Sequence, residues 1–222
     1  MDALARIEPV ARRMVRQVDD ALATLGAPAQ HPVWDLLRQV QATPADAVAF
    51  AVALDPAALD ASVAGLRNRT TSHEAISIPV AVDWIGSAGR RYQHRARAYQ
   101  EYVTGAGEDS LVGRLAATAG YLDDLVQWSV QARHGMATAL ARAMTSAEAL
   151  VLVGGRAAAQ PWSPNVIAAA ATIGAHILAA AVHSMRSGQA VLDRWRPVLG
   201  ELPAVAVSVD AGPSDSAMQL RQ

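Results

Sequence analysis

Asp83-Trp84-Ile85-Gly86-Ser87-Ala88-Gly89-Arg90-Arg91-Tyr92 is the stretch on which the reading of this chain turns. Tryptophan is followed two residues later by glycine, small residues come next, and an aromatic stands eight positions past the tryptophan. Upstream, Asp55-Pro56 opens a helical pattern through Leu59, Val63 and Leu66. Downstream, Tyr92, Tyr99 and Tyr102 share a helical stripe with Ala88 and Ala96. The stretch therefore reads as a bend between two helices. Tryptophan would fill the gap between their ends, and glycine would let the backbone pass beneath the ring. A small residue at 88 would let the second helix start close against the first. Between the two patterns, Ile76, Ile78, Val80 and Val82 alternate as in a strand while Pro79 interrupts a helix, so 76–83 is expected to be an extended connector.

Working outward, Ile7, Ala11, Met14, Val18, Ala21 and Leu25 form one apolar stripe of a first helix, stopped by Gly26-Ala27-Pro28. His31-Pro32 opens a short helix burying Val33 or Trp34, with Leu37 and Val40, and Thr43-Pro44-Ala45-Asp46 repeats the start signal. After Gly105-Ala106-Gly107, Asp109 or Ser110 can cap a restart carrying Leu111, Leu115, Leu122 and Leu125 at heptad-like spacing, with Trp128 and Met136 beyond. That helix is expected to reach about Val153 and end at Gly154-Gly155, with a break near 145 where Thr145-Ser146-Ala147-Glu148 matches a capping box. Ser163-Pro164 starts a last long helix. Its uncharged run from Val166 to Val182 is more readily a buried central helix than a membrane span, because it is rich in Ala and holds Gly174 and His176. This helix should stop before Pro197, and 201–222 reads as a mobile tail.

The 222 residues suffice for a sizeable core, and 52% apolar composition dominated by Ala and Val, with 5% aromatics, favours helices in close contact. All nineteen basic residues are Arg, a bias of GC-rich genomes, and the formal net charge of −1 offers no global field for nucleic acid. Cysteine is absent, which removes disulfides and thiolate chemistry. No secretory leader is expected at the N-terminus, where Asp2, Arg6 and Glu8 interrupt any apolar run.

Little here suggests catalysis. His176 and His183 stand seven apart, too far to share a metal ion unaided, and the remaining histidines read as caps or solvated rings. The acidic doublets Asp19-Asp20 and Asp123-Asp124 point their carboxylates to different helix faces. Nucleophile-elbow, dinucleotide and phosphate-loop motifs are lacking, so no enzyme, metal or cofactor is expected. Arg90, Arg91, His94, Arg95 and Arg97 form a basic cluster interleaved with tyrosines, suited to a helix whose tyrosines face inward while its arginines cover the outside, toward solvent or a partner's carboxylates.

The motif Trp84-x-Gly86, with Ala88 where a small residue is favoured and Tyr92 where an aromatic is favoured, resembles the WXG family of small helical-hairpin proteins exported by type VII (ESX-like) secretion systems. The resemblance covers about 56–150, as in a larger actinobacterial relative with added terminal helices. The family's export signal, Tyr-x-x-x-Asp/Glu, is missing: the acids after Tyr121 fall at Asp123 and Asp124. The resemblance implies a non-enzymatic protein that pairs through helices, as a homodimer or with a small WXG-like protein, and that meets the secretion machinery. It would be cytoplasmic before export, then secreted or cell-envelope associated by a route independent of a signal peptide.

The resulting expectation is an all-α, elongated helical bundle built around a helix-turn-helix hairpin with a Trp-x-Gly bend. Its parts would be an N-terminal helix and corner at 1–54, the hairpin at 55–153, a packing helix at 154–200 and the tail, with 1–200 folding as one unit. Trp84, Gly86, Ala88 and Tyr92 would form the bend. Arg90, Arg91, Arg95, Tyr99, Leu115 and Leu122 would offer an interaction surface. Two rival readings are a membrane-active protein inserting 147–182, with membrane contact through 164–183, and a scaffolding bundle whose Trp34, Trp128 and Trp162 line a ligand pocket.

Overall fold

A computed structural model describes residues 2–79, 84–105, 107, 109–157 and 163–200. The described residues form an all-α bundle: α1 (Ala3–Leu25), α2 (Val33–Val40), α3 (Pro44–Ala53), α4 (Pro56–Glu74), α5 (Ser87–Thr104), α6 (Leu111–Met144), α7 (Ala147–Ala157) and α8 (Pro164–Gly200). Residues 80–83 of the connector, Trp162 and the tail 201–222 lie outside the described residues, and 76–79 holds no strand.

Local signals account for most helix starts. Asp2 accepts the Ala5 N–H at 2.8 Å and caps α1. Thr43 and Asp46 form a reciprocal capping box on α3, with Pro44 in the first turn. Asp55 accepts the N–H groups of Ala57 and Ala58 to open α4, and Ser110 accepts that of Gly113 to open α6. The break near 145 is present, with α6 and α7 bent by 60°. Its cap is Ser146, whose hydroxyl accepts the Ala149 N–H; Thr145 instead donates to carbonyls of α6.

α6 and α8 are the two long helices against which the others pack. The main core gathers Leu4, Val15 and Val18 of α1, Val33 of α2, Val48 of α3, Leu140 of α6, Leu152 of α7, and Ile173, Ile177 and Leu178 of α8. Gly174 admits the close approach of α1: a Cβ there would stand 3.2 Å from Val18 and Leu22. Asp19 ties α1 to α3 by accepting the Ala45 N–H at 3.2 Å, and burial pushes its carboxyl above the ordinary value. Arg133 of α6 is the other tie. Its Nη1 donates to the carbonyls of Ala51, Val52 and Leu54 at 3.0, 2.7 and 2.7 Å, and its Nε pairs with Asp2. One guanidinium thus satisfies the open end of α3 and binds the start of α1.

Several expectations are corrected. The first helix faces the core with Leu4 and Val15 as well as Ala11, Val18 and Ala21, whereas Leu25 is 51% exposed. Val33 is the buried member of its pair; Trp34 is half-buried, and its Nε1 donates to Pro28 O at 3.1 Å. Gly154-Gly155 does not end α7, which continues to Ala157 packed on α8. Pro197 lies inside α8, which runs to Gly200. Its missing N–H takes one backbone donor out of the last turn.

Candidate functional site

Trp84, Ile85 and Gly86 lead directly into α5. Gly86 has φ +94, in the left-handed region where side chains are strained, so glycine is required to turn the chain there. Trp84 does not plug a gap between helix ends. It is 59% exposed, Ile85 is 96% exposed, and the Trp84 ring meets the Tyr92 ring edge-on at 5.5 Å. The physical reason lies in the packing: α4 rests mainly on α6, with a slight contact to α5, so the two helix ends enclose no slot for an indole. Tyr92 OH donates to Pro79 O at 3.1 Å, which ties α5 to the preceding connector. Gln100 does the same farther along, accepting from Ile78 N at 2.8 Å and donating to Ile76 O at 2.9 Å.

The small residue that the turn needs is Gly89. Its neighbour Ala88 is exposed, whereas a Cβ on Gly89 would lie 2.7 Å from the carbonyl carbon of Trp84. The spacing of α5 carries the signal for this shift: Gly89, Ala96 and Val103 recur every seven residues and are the buried ones. The rest of the helix surface exposes Arg90, Arg91, His94, Arg95, Arg97 and Tyr99. The tyrosines do not face inward as expected, because Gly89, Ala96 and Val103 take the buried phase: Tyr92 is exposed, and Tyr99, 58% exposed, lies 6.5 Å from the half-buried Tyr102 ring. Leu115 and Leu122 are half-buried on α6 and do not join this face as an open surface. The structure therefore unites Trp84, Tyr92, the arginines and Tyr99 on α5 and its entry turn.

A second feature was not legible from the motif. An apolar groove of about 410 Å³ opens between α3, α6 and α8, lined by Phe50, Leu54, Trp128, Met136 and Met185 among others. Phe50 is 57% exposed at this groove because Ala47, Val48 and Ala51 take the inward phase of α3. Trp128 lines the groove, but Trp34 does not, and Trp162 lies outside the described residues. Among the described residues, no group of three or more His, Asp or Glu side chains is placed to hold a metal ion. His31 is a capping residue: its Nδ1 accepts the Val33 N–H at 3.2 Å, and burial lowers its pKa.

By fold the protein is an all-α bundle with a cationic, aromatic outer helix. Comparison with protein-family models, curated proteins and solved structures gives no match to this chain.

Proposed function

We propose that this protein works by helix–helix association within a type VII secretion system, as a secreted substrate or a secretion-associated partner, and carries no catalysis of its own. The observation that supports this reading is the display of the Trp84–Tyr92 pair on a turn that Gly86 alone can make. A bend that served only to reverse the chain would bury its tryptophan; this one holds the ring at the surface, where tryptophan and tyrosine contribute most to binding. The partner is a small WXG-like helical protein or a second copy of the chain, and export follows a route that reads a folded feature.

The test is co-purification of a small WXG-like protein with the full chain. Trp84→Ala should abolish co-purification with little change in helical signal, since the ring is exposed, and Gly86→Asp should do the same by straining the turn. Co-purification unchanged by either substitution would sink the reading.

A membrane-active role is a second reading, favoured by one observation at an unexpected place. Taken together, α3 and α4 (Pro44–Glu74) are apolar and long enough to cross a membrane, and their most apolar 18-residue window is only 22% buried. The corresponding window of Pro164–Gly200 is 61% buried, with Val166, Ile173, Ile177 and Val182 facing other helices. Carbonate-resistant pelleting that depends on 44–54 would support this second role.

A further inference from the structure

We propose that the outward face of α5 is a docking surface for an acidic helix of a partner protein. The inference rests on the preceding reading only for the premise that the chain acts by protein association, and adds the chemistry that the partner presents.

Arg90, Arg91, Arg95 and Arg97 are exposed, and among the described residues none of them makes an ion pair. Of the other arginines, Arg12 pairs with Glu8, Arg67 with Asp123, Arg133 with Asp2 and Arg194 with Asp124, while among the described residues Arg6, Arg13, Arg16, Arg69 and Arg142 are likewise exposed without an ion pair. α5 carries no Asp or Glu before Glu101, so its four guanidinium groups have no carboxylate on the preceding turns of their own helix. Arg91, Arg95 and Tyr99 stand four apart and form one stripe of about 12 Å, at a rise of about 1.5 Å per residue. The stripe starts beside the Trp84–Tyr92 pair and ends on the Tyr99–Tyr102 pair. Trp, Tyr and Arg are the side chains that dominate binding energy at protein interfaces, and here they share one surface.

The partner's form follows from this layout. Guanidinium groups bind carboxylates in a bidentate fork, and two carboxylates four residues apart on a helix project from one side about 6 Å apart, matching Arg91 and Arg95. An apolar side chain one turn farther meets Tyr99. A nucleic acid duplex fits less well: it presents one charge per about 1.7 Å and extends beyond the stripe toward a chain whose net charge is −1. Phosphate contacts along so short a stripe are few.

The test uses the full chain and a labelled, stapled helical peptide with Glu at two positions four apart and Leu one turn beyond. Parallel probes are the same peptide with Gln for Glu, a duplex oligonucleotide and phosphatidylserine-containing vesicles. Saturable binding of the Glu peptide is expected, weakening as salt is raised. It should fall by at least about tenfold for the Gln peptide and for Arg91→Ala/Arg95→Ala, as expected when charge-assisted hydrogen bonds are lost. The melting temperature of that variant should be unchanged, and Arg13→Ala, exposed on α1, should bind like the parent chain. Absent binding, indifference to the Gln peptide or to the double variant, or tighter binding of duplex or vesicles would overturn the proposal. Two results separate it from the secretion reading. If Trp84→Ala abolishes association with the small partner but the double variant binds the Glu peptide normally, this inference fails alone. If the Glu peptide binds as expected and neither substitution at the turn affects the small partner, the secretion reading fails alone.

Discussion

Arg133 and Asp2 join two helix ends that lie far apart in the chain. The Arg133 side chain is 11% exposed, and its guanidinium serves three carbonyls at the end of α3 as well as the Asp2 carboxylate. Arg133→Ala leaves those carbonyls without their donor and should cost about 2–4 kcal/mol in urea unfolding. A loss below about 1 kcal/mol would mean that water replaces the guanidinium. The Arg133 side chain, followed by the Ala5 N–H, holds the Asp2 carboxyl at about 2, below its ordinary 3.8. Because the folded value lies below the unfolded one, this stabilisation is complete above pH 3.8 and is lost as pH falls through about 2. Asp2 is 44% exposed, so solvent screens the pair and the effect is about 1 kcal/mol or less. Asp2→Asn keeps a capping oxygen and removes the charge. Parent and variant should therefore differ at neutral pH and converge toward pH 2. Asp19 acts with the opposite sign: its raised value makes its charge a penalty that fades on acidification, and it does so equally in both chains. The difference between parent and variant isolates Asp2.

At the scale of elements, α6 and α8 are locked by two tryptophans, each lying on a glycine of the other helix. A Cβ at Gly120 would stand 2.8 Å from the Trp195 ring, and one at Gly188 would stand 3.0 Å from Trp128. Each indole also has a hydrogen-bond acceptor across the interface. Trp128 Nε1 donates to Ser184 O at 2.9 Å, and Trp195 Nε1 donates to Asp124 at 2.7 Å, beside Arg194 at 2.9 Å. Gly120→Val forces the Trp195 ring off its seat and should destabilise by about 2 kcal/mol, read as a lower urea midpoint. Gly65 in α4 is the control: nothing lies within 4 Å of its added Cβ, so Gly65→Ala should stabilise by about 0.5–1 kcal/mol through helix propensity and reduced chain entropy. If both glycines proved equally tolerant, the Trp–Gly lock would not be holding α6 to α8.

For the whole molecule, α8 is the element that every core layer shares. Ile173, Ile177 and Leu178 are fully buried against helices from both ends of the chain. Ile177→Ala should cost about 2–5 kcal/mol and shift α1 and α6 probes together, because the cavity lies where their packing meets. A transition in which α1 melts separately would divide the bundle into independent units. The same burial bears on the membrane rival. Inserting 164–182 would first require opening the core, so deletion of 164–183 should unfold the bundle, as measured by loss of cooperative melting.

The sequence by itself determined the helices and many of their ends. Stripes of period 3.6 located α1, α5 and α6, while Thr43, Asp55 and Ser110 marked starts that depend on neighbours three residues away. Such signals are local because the hydrogen bonds that they serve are local. The sequence also singled out the Trp84 turn, and Gly86 needs its positive φ whatever surrounds it. Tertiary structure alone decided which side of that turn would be covered. Trp84 is at the surface because α4 found its partner in α6, and the small residue that matters became Gly89 because α5 packs along Gly89, Ala96 and Val103. The groove beside Phe50, the Trp–Gly lock and the reach of Arg133 to Asp2 join residues scores of positions apart. No periodicity encodes them, since each depends on how whole helices come to rest against one another.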